Sequence, residues 1–209
     1  MTKFTQKLLF LVLFIISCKK EIPKEDTKTK VVSTVTYAKG FDIIVKKGIK
    51  KLIIKSAYHN SEEIYEYVIH KNKPHTKTNL QGNSIHVPVR KIIVTSTTHI
   101  PMVEVLNEEK SIIGFPHTKY VSSDKTRTLI DERKITEIGQ ENALNTEILL
   151  DLQPELVVGY SVSSADKSLT TIKKAGINVI YNGDWLEETP LGRAEWIKFF
   201  GVLFDKQKQ

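Results

Sequence analysis

Cysteine is nearly absent from this 209-residue sequence, occurring once, at position 18. A single thiol forms no internal disulfide, so a disulfide-held fold and paired-thiol redox chemistry are excluded. Long apolar runs are missing too: none approaches the roughly 20 residues that a membrane-spanning helix needs. There is no glycine-rich phosphate loop, no G-x-S-x-G elbow and no H-E-x-x-H helix, which argues against an enzyme. Unbroken blocks of basic charge are also lacking. Lys19–Lys91 holds sixteen Lys and Arg against seven Asp and Glu, and Ile92–Gln209 thirteen against seventeen. The lysines of the basic half are scattered among strand-like runs with no nucleic-acid module, so no nucleic-acid partner is expected.

What is present begins with an address. Lys3 and Lys7 precede the apolar run Leu8–Ile16, and Ser17 and Cys18 close it. A basic start, a short apolar stretch and a small residue before the cut make a secretory signal. Ile-Ile-Ser-Cys resembles the lipobox of bacterial lipoproteins. Residues 1–17 are therefore expected to be removed, leaving Cys18 as an N-terminus carrying diacylglycerol and a further acyl chain such as palmitate. Several acyl chains at about 0.8 kcal/mol per buried methylene give a stable anchor. No aspartate follows the cysteine, which favours the outer membrane of a Gram-negative envelope. Residues 18–30, KKEIPKEDTKTK after the cysteine, are charged and have little to bury, so they read as a flexible tether.

From Val31 the character changes. Short alternating runs at Val31–Ala38, Ile43–Val45, Lys51–Ala57, Ile64–Ile69 and Ile85–Val89 predict an antiparallel, β-rich extension over residues 31–90. From Lys91 buried strands alternate with helices: Lys91–Thr95, Ser111–Phe115, Leu156–Gly159 and Ile177–Tyr181 are the strands. Asn145 reads as an N-cap and Pro154 as the stop of its helix. The fold class expected is α/β, a four-stranded parallel, Rossmann-like lobe over residues 91–188 with helices on both faces. Thr189 and Pro190 open a last helix, residues 189–209, whose Trp196, Phe199, Phe200 and Phe204 demand a covering surface.

In an open parallel sheet ligands bind beyond the carboxyl ends of the strands. The loops there offer Thr97, Thr98 and His99; Phe115, His117 and Tyr120; Tyr160 and Ser161; and Asn182, Asp184 and Trp185. A rim of aromatic and hydroxyl groups suits a large polar ligand better than it suits catalysis. Each has a plainer role as well: the threonines as helix caps, Asp184 as a structural partner of Arg193. His99 and His117 lack neighbouring carboxylates in the sequence, so no protein-bound metal and no cofactor is expected.

The run Asn145–Gly159, followed by Lys174–Tyr181, resembles the N-terminal lobe of the periplasmic binding proteins for iron-siderophores, haem and vitamin B12. Lys91–Val94 with Thr95–His99, and Thr189–Phe200, resemble lipoprotein members of that group. The resemblance implies a monomeric receptor that captures a metal chelate (ferric siderophore, haem or cobalamin) and presents it to the permease of an ABC importer. It implies that Glu147, in the first turn after Asn145, docks on that permease. Members of the family continue from the last helix into a second lobe. The sequence as read to Gln209 is therefore expected to be a truncated form, one lobe and the start of the connector, binding ligand weakly. The alternative is a lipid-anchored envelope module in which the basic extension makes the contacts and the lobe is vestigial.

Overall fold

A computed structural model describes residues 32–46, 48–71, 83–140, 143–162 and 167–207. The leader, Cys18 and the tether lie outside them.

The extension forms one five-stranded sheet in sequence order: β1 (Val32–Ser33), β2 (Phe41–Lys46), β3 (Ile49–Ile54), β4 (Tyr65–Lys71) and β5 (Ser84–Val87). Lys46 pairs with Ile49 across a two-residue turn, and Gly48 takes φ +78° there, the left-handed backbone that such hairpins require. The alternation read from the sequence holds. Phe41, Ile43, Leu52, Ile54, Tyr67, Ile69, Ile85 and Val87 all point to one buried face. Two details differ from expectation. β4 and β5 pair in parallel, and the twelve residues between Lys71 and Ser84 meet the dozen or so that a parallel connection requires. β1 stops at Ser33 instead of running to Ala38, because the amides of Thr36, Tyr37 and Ala38 are taken by the Glu195 carboxylate and not by a neighbouring strand.

The second sheet comprises β6 (Ile92–Val94), β7 (Ile112–Phe115), β8 (Thr136–Glu137), β11 (Leu156–Gly159) and β12 (Val179–Tyr181), all paired in parallel. It has five strands, not four: the short β8 joins the edge beside β7. Its spatial order is β12-β11-β6-β7-β8, so winding proceeds outward from β6 in one direction through β8 and then reverses to β11 and β12. A two-stranded pair, β9 (Gly139–Gln140) and β10 (Ala143–Leu144), follows β8.

Helices α1 (His99–Val105), α2 (Asp124–Asp131), α3 (Thr146–Leu152), α4 (Lys167–Lys174), α5 (Pro190–Glu195) and α6 (Ile197–Leu203) complete the fold. Alternate residues of the second sheet serve two cores. Ile93, Val157 and Val179 pack with Leu149 of α3 and Leu169 and Ile172 of α4. Ile92, Val94, Leu156, Val158 and Ile180 pack with α1, with α6 and with the inner face of the first sheet.

This second core corrects two expectations. The apolar residues after Thr189 have their cover within the chain: Trp196, Phe199, Phe200, Leu203 and Phe204 are buried in the core that both sheets share, and the Phe41 ring lies 4.4 Å from the Trp196 ring, inclined at 40°. The β-rich extension is accordingly half of a shared core and not an appendage, so removing residues 31–89 would expose that core and could not report on partner contacts alone. The helix expected to run unbroken from Thr189 is two helices meeting at Trp196. The cap at Thr189 is as read, its Oγ1 accepting the Gly192 amide at 3.0 Å.

Candidate functional site

Winding reverses between β6 and β11, and the carboxyl end of an open sheet at such a reversal is where a ligand recess is expected. Thr95, one of the loop hydroxyls that the sequence offers either as helix caps or as ligand contacts, directly follows β6 there. Buried itself, it accepts the Tyr160 amide on its Oγ1 at 3.0 Å and donates its own amide to the Val158 carbonyl at 3.1 Å, tying the two loops together.

Around this tie gather buried polar groups with open valences. His99 is fully buried, neither ring nitrogen has a hydrogen-bond partner, and Nε2 lies 3.9 Å from Asp184 Oδ1. Asp184 is buried with Oδ1 unpaired. The Asn182 side chain spends its oxygen on the Asp184 amide at 2.9 Å and leaves Nδ2 unpaired. Trp185 Nε1 is buried and unpaired as well, and the indole meets the Tyr160 ring edge-on at 6.3 Å. Four such groups in one place would cost about 1–3 kcal/mol each if nothing bonded them. Burial pushes the His99 imidazole down to about 4, against the opposite pull of Asp184. Near neutral pH it is an uncharged ring, donor at one nitrogen and acceptor at the other.

Of the residues expected on the rim, the structure thus brings together His99, Tyr160, Asn182, Asp184 and Trp185. Ser161 is buried beside them. Residues 163–166 of that loop lie outside the described set. Thr97 and Thr98 are exposed at the start of α1, where Ser96 and Thr98 bond each other at 2.9 Å. Phe115 is buried in the core shared by the two sheets and faces no recess. His117, held at φ +47°, and Tyr120 face each other at 5.4 Å beyond β7, two strands away from β11. Arg193 does not pair with Asp184; its Nε donates to the Glu187 carbonyl at 2.8 Å. Glu147 is exposed in the first turn of α3, where Asn145 Oδ1 accepts the Glu147 and Ile148 amides at 3.0 and 3.1 Å. Among the described residues no three of His, Cys, Asp and Glu converge on a metal position.

Two buried carboxylates were missed, Glu187 and Glu195, and nothing local in the sequence marks them. Glu187 accepts the amides of Lys39 and Gly40 and the indole N–H of Trp196. Glu195 accepts three consecutive amides and the Lys198 ammonium at 2.7 Å. They clamp the start of the first sheet to the C-terminal helices and stand outside the recess.

Fold and site together are a parallel α/β sheet with a cluster of buried polar groups and an aromatic pair near the carboxyl ends of its strands. No family model matches the chain. It is 30% identical over 132 residues to the uncharacterized lipoprotein MJ0878 of Methanocaldococcus jannaschii, covering 60% of this chain and 32% of that protein. To the uncharacterized lipoprotein MJ0872 of the same organism it is 27% identical over 190 residues, covering 88% and 47%. The chain thus spans between a third and a half of the length of these relatives. Among solved structures, the petrobactin-binding protein YclQ of Bacillus subtilis matches 75% of this chain and 46% of its own at 15% identity and TM-score 0.49. The periplasmic haem-binding protein HutB of Vibrio cholerae matches 57% and 43% at 18% identity and TM-score 0.45.

Proposed function

We propose that this chain is a binding lobe of a lipid-anchored receptor that captures a metal chelate, a ferric siderophore, haem or cobalamin, for an ABC importer, with Glu147 docking on the permease. The observation that carries the reading is the cluster itself: the Tyr160–Trp185 aromatic pair stands beside the buried polar atoms of His99, Asn182 and Asp184 near the point where winding reverses. Such chelates present flat or rounded faces with polar edges, which aromatic walls and a few fixed hydrogen-bonding groups hold well. The sequence runs that resemble chelate receptors contribute the strands and helices that build this recess. Cys18 supplies the anchor, in keeping with the names of the lipoprotein relatives. The exposed Glu147, on a capped helix end, is free to meet cationic groups on a partner.

Titration of the chain with haemin, a ferric siderophore and cobalamin, following tryptophan fluorescence, tests the reading. Trp185 is the reporter, since Trp196 is enclosed in the core. The expected result is shallow quenching by at least one chelate, weaker than micromolar, and abolished by Tyr160→Ala or Asp184→Asn. Quenching indifferent to both substitutions, or none by any chelate, overturns the proposal. In cells, Glu147→Lys is expected to stop import while leaving the quenching unchanged.

A further inference from the structure

The outer face of the first sheet carries a histidine pair that the recess does not use. His70 on β4 and His86 on β5 are register partners in the parallel pairing of that sheet. Partners in register project from the same face. Their rings lie 5.6 Å apart, inclined at 38°. Both side chains are half-buried, and His86 Nδ1 is buried without a hydrogen-bond partner. A depression lined in part by Ile49, Val68 and Lys71 adjoins His70.

Two imidazoles bound to one tetrahedral ion, each nitrogen about 2.1 Å from it, bring their ring centres to about 5 Å. The observed spacing of the ring centres, 5.6 Å, is close to that value. Nearby cations have other partners: Lys50 bonds the Gln207 side chain, Lys51 is paired with Glu66 at 2.8 Å and Lys71 with Asp205 at 2.8 Å. Rigid strands make the pair a better preformed ligand set than histidines on a loop.

We propose that His70 and His86 form a two-histidine clamp for a divalent transition ion, with water or a small solute completing its shell. Imidazole ligands select copper, nickel or zinc over magnesium and calcium. The clamp would tie β5, a four-residue edge strand, to β4. Because the folded pairing holds the two rings side by side, an ion bound by both stabilises the folded chain by mass action.

The test is calorimetric titration of the full chain, in a Cys18→Ser background that removes the competing thiol, with Ni2+, Cu2+, Zn2+, Mg2+ and Ca2+ salts. One equivalent of a transition ion is expected to bind in the micromolar range and to raise the thermal midpoint, with Mg2+ and Ca2+ silent. His70→Gln and His86→Gln are each expected to weaken binding on the order of tenfold or more. His59→Gln and His117→Gln should leave it unchanged. Electron paramagnetic resonance of the Cu2+ form, which needs no variant, should show coupling to two imidazole nitrogens. Binding that survives the double substitution, that is lost with His59 or His117, or that shows one nitrogen, overturns the proposal, as does the absence of transition-ion binding.

Discussion

Glu187 Oε1 accepts the Gly40 amide at 2.8 Å across 147 residues of sequence. The same oxygen takes the Trp196 indole N–H at 3.1 Å. One carboxylate thereby fixes the entrance of β2 against the helix pair α5–α6, and the position of Gly40 follows from it. A Cβ at residue 40 would stand 3.0 Å from Trp196 Cζ2 and 3.2 Å from Glu187 Oε1, both closer than such contacts normally run.

Substitution at either end of this contact should be costly. Gly40→Ala is expected to destabilise by about 1–3 kcal/mol, because the rigid indole cannot give way without disturbing Phe41 and Phe199. Glu187→Ala removes the acceptor of two amides and an indole N–H at once. At about 1–3 kcal/mol for each buried group left unpaired, it should cost more than Gly40→Ala does. Urea titration followed by circular dichroism measures both; equal stability of Glu187→Ala and the parent chain would refute the clamp.

The shared core predicts cooperativity. Phe41 on β2 and Phe200 on α6 belong to the same buried cluster as Val158 and Ile180 of the second sheet. Phe41→Ala and Phe200→Ala should each cost about 3–5 kcal/mol. They should also lower the unfolding midpoint of both sheets together, as read by hydrogen exchange at amides of β3 and of β11. Loss of protection in β3 with β11 unaffected would mean two separately folding units.

Much of this fold was legible because its signals are local. The Asn145 and Thr189 caps, the turn at Gly48 and the alternation through Phe41, Ile43, Leu52 and Ile54 depend on near neighbours in the chain. What was not legible depends on contacts between distant residues. Nothing within Val31–Ala38 says that Glu195 will claim its amides, and nothing within Ala194–Phe204 says that the helix will break at Trp196 to seat the indole on Phe41. Of the site, loop chemistry named His99, Tyr160, Asn182, Asp184 and Trp185, which the fold brings near one another, but did not foresee how deeply they are buried. Whether His99 lines the recess or Phe115 turns into the core is decided by which side of a five-stranded sheet each faces.

Acid should weaken the clamp through Glu195. Burial alone would raise its carboxyl, but Lys198 and the amides of Ala38, Tyr37 and Thr36 outweigh that and hold it down to about 2, against 4.5 when free. The unfolded carboxyl takes up its proton as pH falls through 4.5 and the folded one resists until about 2. The stabilisation is therefore complete above pH 4.5 and lost between there and pH 2. Its size at neutral pH is about 3 kcal/mol. Glu195→Gln should be less stable than the parent at pH 7 by an amount of that order, and flat where the parent declines. An unchanged decline would place the acid sensitivity elsewhere.

His99 should account for an earlier stage of the same acid response. Its folded value of about 4 lies below the free value of 6.5, so between these pH values the unfolded chain binds a proton that the folded chain refuses. Stability from this group is complete above pH 6.5 and falls as pH drops toward 4. His99→Leu removes that proton uptake and replaces two unpaired nitrogens by an apolar side chain of similar reach, a change that can be neutral or stabilising in a buried site. The variant is expected to match or exceed the parent at pH 7, and to lose the slope between pH 6.5 and 4 while keeping the Glu195 decline below it. If His99 also serves the recess, the same variant should show weaker chelate quenching of Trp185 with undiminished stability, a combination that a purely structural histidine would not give. Urea midpoints measured from pH 7.5 to 3.5 on the parent, His99→Leu and Glu195→Gln separate the two groups. A parent slope above pH 5 that persists in His99→Leu would assign it to some other residue.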